Sequence, residues 1–183
     1  FNKKQYSESG NSYDEIRISN IPSDLRGSTL YKRGWAHTES KNHRKSITAF
    51  SEFISAYPDE KRVSNALAKR ALSYRAIEDY TSALQDLNLI ISKHPESEST
   101  ELAYQQIALI KGHQQDYRGM IDHYQKLIDT FPDSSANAEA YFWIGWGQFE
   151  LKNFNGSSTA LRKARELNRS AYHDRATLRI ILA

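Results

Sequence analysis

The chain has 183 residues, with 25 Lys and Arg against 22 Asp and Glu, a formal charge of +3 and 39% hydrophobic residues. Cysteine is absent, which excludes a disulfide framework and a thiolate metal site. No apolar run approaches the roughly 18 residues of a membrane-spanning helix. Charges of both signs are mixed along the chain, without the in-register basic recurrence that a nucleic-acid groove needs.

From the N-terminus, Tyr6, Ser9, Tyr13 and Ile16, followed by Ile21-Pro22, fit the second helix of a helix pair whose first helix is not present. Residues 26–57 then carry Leu30 and Gly34 on one helix, and Phe50, Phe53 and the stop Tyr57-Pro58 on the next. Residues 61–94 repeat the plan with Leu67, Ala71 and Tyr74, a break near Glu78-Asp79, then Tyr80, Ala83, Leu87, Ile90 and His94-Pro95. Residues 99–131 repeat it with Tyr104, Ile107 and Ala108, then Tyr117, Met120, Tyr124, Leu127 and Phe131-Pro132. Residues 136–168 give Tyr141, Ile144 and Gly145, then Phe154, Ser157, Leu161 and Ala164, with Arg169 where the proline would stand. Ala171–Leu182 fits a further first helix, with Leu178 and Leu182 in register. Apolar residues three and four apart predict amphipathic helices, and a proline cannot continue one. We expect about nine or ten helices of roughly 10–15 residues and no sheet.

The period is 37 residues: Gly34, Ala71, Ala108 and Gly145 fall on it, as do Pro58, Pro95 and Pro132. Ala71, Ala108 and Gly145 are expected at close helix contacts. A fixed period in this range marks a stacked repeat, in which each helix pair buries its apolar face against its neighbours. The small residue of each first helix, the aromatic that opens the second and the aromatic-Pro that closes it resemble the tetratricopeptide repeat. That family's unit is 34 residues, so this chain carries three more per unit. They are placed between units, near Asp59–Ser64, Glu96–Glu101 and Asp133–Ala138. The resemblance implies an all-α, right-handed superhelical solenoid over residues 1–183. Its full repeats are about 26–60, 61–97, 98–134 and 135–170, with partial repeats at 1–25 and 171–183. Because the chain starts and stops mid-repeat, we expect a piece of a longer array. A short protein capped by its own half-repeats is the alternative. Tyr57-Pro58-Asp59, His94-Pro95-Glu96-Ser97 and Phe131-Pro132-Asp133-Ser134 are similar to the bacterial cell-envelope branch of the family, which includes Tol–Pal accessory and outer-membrane assembly proteins. That likeness favours a periplasmic or outer-membrane-associated setting over a cytoplasmic one.

No phosphate-binding loop, nucleophile elbow or zinc-protease helix motif is present, so no catalytic, cofactor or metal residue is assigned. In the family, ligands lie along the first helices. The matching slots are Tyr31, Trp35 and Thr38; Ala68, Lys69, Leu72 and Arg75; Gln105, Gln106, Leu109 and Gly112; and Phe142, Trp146 and Phe149. The residues assigned to partner binding are Tyr31, Trp35, Lys69, Leu72, Arg75, Gln105, Leu109, Phe142, Trp146 and Phe149. Trp and Tyr suit this task because they bury large area and keep a polar tip. Family members that grip an acidic C-terminal tail use Lys and Asn at positions matching Tyr31, Trp35, Lys69, Leu102 and Gln106, so no such preference is expected here. The resemblance implies a non-catalytic scaffold that binds a peptide or partner domain, and self-association stays open. Two further readings stand beside it: the non-catalytic arm of a cell-envelope or polysaccharide enzyme, and an RNA-binding helical array.

Overall fold

The computed structural model describes residues 3–168 and 170–172. Within them the chain is all-α. Nine helices occur: α1 Lys3–Glu15, α2 Ser23–Glu39, α3 His43–Ala56, α4 Val63–Ala76, α5 Tyr80–Lys93, α6 Thr100–His113, α7 Tyr117–Thr130, α8 Asn137–Glu150 and α9 Phe154–Leu167. No strand is present among the described residues. The helices fall in two compact units, Phe1–Thr100 and Glu101–Ala183. The expected helix over Ala171–Leu182 lies almost wholly outside the described residues.

One turn is used four times between paired helices. Lys41, Glu78, Gln115 and Lys152 all take φ of 60–62°, and they too are 37 residues apart. Each is followed by a residue whose N–H reaches back five positions: Asn42 to the His37 carbonyl (2.8 Å), and Asp79, Asp116 and Asn153 to those of Tyr74, Lys111 and Gln148 (2.9 Å each). Together with the bond from the left-handed residue's own N–H, this is a Schellman closure, which satisfies the free carbonyls of the ending helix. The closing residue then starts the next helix. Asp79, Asp116 and Asn153 accept the N–H groups of Ser82, Gly119 and Gly156 at 3.1, 2.9 and 3.2 Å. A three-residue connection thus ends the first helix of each pair and in three of the four also caps the second, Asn42 making no side-chain cap to α3. So short a link returns the chain as an antiparallel hairpin.

Between pairs the connection is six residues long. Tyr57, His94 and Phe131 leave the helical region at its start, as a residue before proline must. Asn168 takes a similar extended geometry without a following proline. Its side chain accepts the N–H of Ala171 at 3.1 Å, so a side-chain cap does locally what the proline does elsewhere.

In unit 1 the buried side chains include Leu30, Phe50, Phe53, Val63, Leu67, Leu87 and Ile90. Gly34 is required by contact: a Cβ there would lie 2.9 Å from the Phe50 ring. In unit 2 the core gathers Ala108, Met120, Tyr124, Leu127, Ala140 and Ile144. A Cβ on Gly145 would come within 2.6 Å of Leu161 Cγ. Phe50 and Leu161 each stand 16 positions after their glycine, as Leu87 and Tyr124 do after Ala71 and Ala108. The contact made at Gly34 and Gly145 thus has the same register at Ala71 and Ala108, all four being buried small residues.

The N-terminal helix departs from expectation. α1 stops at Glu15, well before Ile21-Pro22, and a single 3-10 turn occupies Ile18–Asn20. Arg26 of α2 holds that path open by donating to the carbonyls of Ile21 (2.9 Å) and Ser19 (3.2 Å). α1 is seated on α2 by His37, which is buried and hydrogen-bonded through Nε2 to Asp14 at 2.9 Å. The second Asp14 oxygen accepts from Lys45 at 2.7 Å. Burial opposes the Asp14 charge, but the bonds from Lys45 and His37 outweigh it and hold the carboxyl below its usual range.

Candidate partner-binding face

The first helices of unit 1 are α2 and α4. Tyr31, Trp35, Lys69, Leu72 and Arg75 are all half-buried there. Tyr31 is largely engaged already. Its hydroxyl donates to Asn65 of α4 at 2.7 Å, its ring meets Phe50 and Phe53 edge-on, and the Arg62 guanidinium lies 4.9 Å over it. Burial raises the Tyr31 hydroxyl's pKa, against the lowering effect of Arg62. Trp35 is met edge-on by Tyr6 of α1 at 5.1 Å, and Gln5, Tyr6, Ser9 and Trp35 line a cavity of about 200 Å³. Lys69 lies 3.7 Å from Glu39.

Two unit 1 slots are corrected. Ala68 is 2% exposed, and its short side chain ends inside the helix packing. Thr38 turns its hydroxyl to Ser46 of α3 (2.7 Å) and the Gly34 carbonyl (3.1 Å), not outward. In unit 2, Gln106 is corrected likewise: it is 7% exposed, and its carbonyl oxygen is buried without a hydrogen-bond partner.

Unit 2 places Gln105 and Leu109 on α6, and Phe142, Trp146 and Phe149 on α8, all half-buried. Gln105 donates to Glu139 of α8 at 3.2 Å. This bond is the register equivalent of Tyr31 to Asn65, so in both units a polar slot residue ties adjacent first helices together. Phe142 stacks on Tyr172 at 5.2 Å and meets Trp143 edge-on at 5.4 Å. Phe149 meets Phe154 at 5.6 Å across the α8–α9 turn. Trp146 packs on the unit 2 core and lies edge-on to Tyr117 (5.4 Å) and Trp143 (5.7 Å).

A cavity of about 160 Å³ opens between α6 and α8, lined by Leu109, Gly112, His113, Met120, Trp143 and Trp146. It brings Leu109 and Trp146 together, and Gln105 sits beside it through Glu139. Trp143 and His113 are absent from the expected set. Trp143 shares its repeat position with Lys32, Lys69 and Gln106, and that mixture hides an aromatic wall. Its indole N–H donates to Glu139 at 3.2 Å, which fixes the ring.

Among the described residues no group of three or more His, Asp or Glu side chains could hold a metal ion. Nor is any helix among them long and apolar enough to cross a membrane.

No curated protein matches the chain by sequence. Several solved structures match its fold. A crystal structure of MamA superposes with a TM-score of 0.76 at 16% identity, covering 92% of each chain. The apo form of RapI gives 0.79 at 15% identity, over 92% of this chain and 50% of that one. The C-terminal part of a TPR repeat-containing protein from Cytophaga hutchinsonii gives 0.75 at 14% identity, over 96% and 66%. At these identities the likeness shows the fold alone. The sequence profile of the tetratricopeptide repeat matches residues 28–60, 65–97 and 102–134, more than half of the chain. With the helix pairs and their recurring turn, those matches settle the family: the chain belongs to the tetratricopeptide repeat family.

Proposed function

We propose that this chain is a non-catalytic scaffold that holds a peptide or partner-protein segment on the faces of its first helices. The observation that carries the reading is the small α6–α8 cavity, which Leu109, Trp143 and Trp146 line with mainly apolar surface beside a fixed polar group, Glu139. Interfaces anchor on such partly open aromatic pockets, because a side chain entering one is desolvated on several sides at once. The family supports the same reading, since its members bind proteins or peptides. We take the chain as one array of the four full repeats given above, with half-repeats at its ends. Its envelope setting is carried only by the Pro-Asp and Pro-Glu-Ser boundary segments. Fractionation of cells making the full-length protein tests that setting.

A photo-crosslinking amino acid at Leu72 or Leu109, on first helices, tests the binding face against the same probe at Asn88 or Gln125, on second helices. The expected result is partner adducts from the first pair of sites and few from the second. Equal or stronger adducts from Asn88 and Gln125 would overturn the assignment of the face.

A further inference from the structure

We propose that the α6–α8 cavity receives a basic side chain, Arg or Lys, projecting from the bound protein segment. This deepens the reading above and rests on it. The cavity walls are two indoles, Trp143 and Trp146, set edge-on 5.7 Å apart, with Tyr117 edge-on to Trp146 at 5.4 Å. The face of an indole attracts a cation more strongly than any other side-chain ring. Behind one of these rings stands a carboxylate, because Glu139 accepts the Trp143 indole N–H at 3.2 Å. A negative charge at that N–H enriches the ring that a cation would meet.

The fixed charges point the same way. α8 carries Glu139 and Glu150 and no Lys or Arg. On α6, Lys111 is paired with Asp116 at 3.1 Å, and Glu101 is a further carboxylate. His113, exposed at the mouth, is the one lining side chain able to carry positive charge. A carboxylate ligand would face the Glu139 carboxylate held behind the Trp143 wall. The remaining walls suit the stem of a long basic side chain. Leu109 and the Met120 thioether are apolar, and methylene stems lie well on such surfaces while the charged head stays near polar groups. Two glycines keep Met120 in place: a Cβ on Gly112 would lie 2.7 Å from its sulfur, and one on Gly147 would lie 2.7 Å from its methyl.

The test uses the three tryptophans as reporters. Uniformly 15N-labelled protein is titrated with blocked pentapeptides, acetyl-Gly-Ser-Xaa-Ser-Gly-amide, where Xaa is Arg, Leu or Glu, and the indole N–H signals are followed. The expected result is that the Arg peptide moves the Trp143 and Trp146 signals and leaves Trp35 in place. Leu and Glu peptides should move them far less. Trp146→Leu should weaken the Arg response roughly tenfold, with the Trp35 signal reporting whether unit 1 is intact. Glu139→Gln keeps an acceptor for the Trp143 N–H and removes the charge, and Gln105 can turn its amide to accept from the new NH2. It should therefore weaken the Arg response with little change in the melting midpoint. A Leu peptide that moves the two indoles as strongly as Arg does would overturn the basic-side-chain assignment and leave the peptide-binding face standing. Preference for the Glu peptide, or an unchanged Arg response in Glu139→Gln, would also overturn it. If no peptide moves either indole, both the inference and the binding face at this cavity fall.

Discussion

Units 1 and 2 share a backbone plan and differ in what they place on it. The first helices of unit 1 are basic: α2 carries Arg26, Lys32 and Arg33 against Asp24 and Glu39, and α4 carries Lys69, Arg70 and Arg75 with no carboxylate. Those of unit 2 are aromatic and lean acidic, as α8 shows most clearly. One repeat position makes the contrast sharpest. It holds Arg33 and Arg70 in unit 1 but Ile107 and Ile144 in unit 2. Ile107 and Ile144 are simply buried. Arg70 is only part-buried there, and it is accommodated by a two-pronged pair with Asp86 at 2.8 and 2.7 Å and a bond donated to Ser51 at 2.9 Å. Burial opposes its charge, yet the bonds to Asp86 prevail and its pKa is raised. Arg33 makes only a single contact, to the exposed Glu52, and its Nε is buried without a hydrogen-bond partner. At Arg70 the repeat position is met by a satisfied ion pair where unit 2 uses a buried isoleucine.

The largest effect we expect comes from breaking the unit 1 solution. Arg70→Ala leaves Asp86 buried at 7% exposure without its partner. It should cost about 3–5 kcal/mol, the usual penalty for stranding one half of a buried pair. The double variant Arg70→Ile, Asp86→Ala imports the unit 2 solution and should recover most or all of that loss. Chemical denaturation of the three proteins decides it. If the double variant is as unstable as Arg70→Ala, the two solutions are not interchangeable.

Next in size are Ala71→Leu and Ala108→Leu. Both alanines are buried to within 1% exposure, one in each unit, and Leu87 and Tyr124 stand at the register of Phe50 against Gly34 and Leu161 against Gly145. The added atoms have no room in a close-packed contact, and each should cost about 1–3 kcal/mol. Because the contact is a property of the repeat and not of either unit, the two losses should agree. Thermal melts showing one variant unchanged would separate the units where we place them together.

A smaller effect is pH-dependent and falls on unit 2. The Gly119 N–H, followed by Lys111, holds Asp116 below the ordinary carboxylate range. A carboxyl with a depressed folded pKa stabilises the fold above its unfolded pKa, near 3.9. That contribution fades as pH falls from there through the folded value. Asn153 fills the same cap without titrating. Asp116→Asn should therefore keep the cap at neutral pH and flatten the stability loss below about pH 4, whereas Asp116→Ala should cost about 1 kcal/mol at neutral pH. Circular dichroism melts across pH 2.5–7 would show it as a narrower gap between wild type and Asp116→Asn at the acid end, or else refute the cap's role.

How much of this was legible in the sequence depended on recurrence. The helix pairs, the small-residue contacts at Gly34, Ala71, Ala108 and Gly145, and the Pro stops all repeat at a fixed interval with recognisable chemistry. The proposed binding face was legible only in part. Ala68 and Gln106 occupy outward slots by register, but a short side chain and an inward-turned amide leave nothing outside. Trp143 was hidden because its equivalents are Lys32, Lys69 and Gln106, so no pattern marked the position as aromatic. α1 ends early because Arg26, eleven residues beyond its last turn, holds the following segment in another path, and local periodicity carries no trace of so distant a partner.

The left-handed turn residues were the least legible feature, and they supply the smallest expected effect. Lys41, Glu78, Gln115 and Lys152 have φ near +60°, a region where a side chain crowds its own backbone and where glycine normally closes a helix. None of the four is glycine, so the usual sequence signal for this turn is missing from every copy. The geometry is imposed instead by the five-back hydrogen bond of Asn42, Asp79, Asp116 or Asn153 and by the packing of the helices that the turn joins. Replacing Gln115 with glycine relieves the crowding but gives the unfolded chain more freedom, and the two effects oppose each other. The relief should prevail, leaving Gln115→Gly more stable by about 0.5–1 kcal/mol. Lys41→Gly in unit 1 should gain a similar amount, since the turn is common to both units. Gln115→Ala, which keeps a Cβ, should gain nothing. Denaturant midpoints for the three variants separate strain from side-chain chemistry: a gain in Gln115→Ala equal to that in Gln115→Gly would show that the glutamine side chain, and not its backbone angle, is what the turn tolerates at a cost.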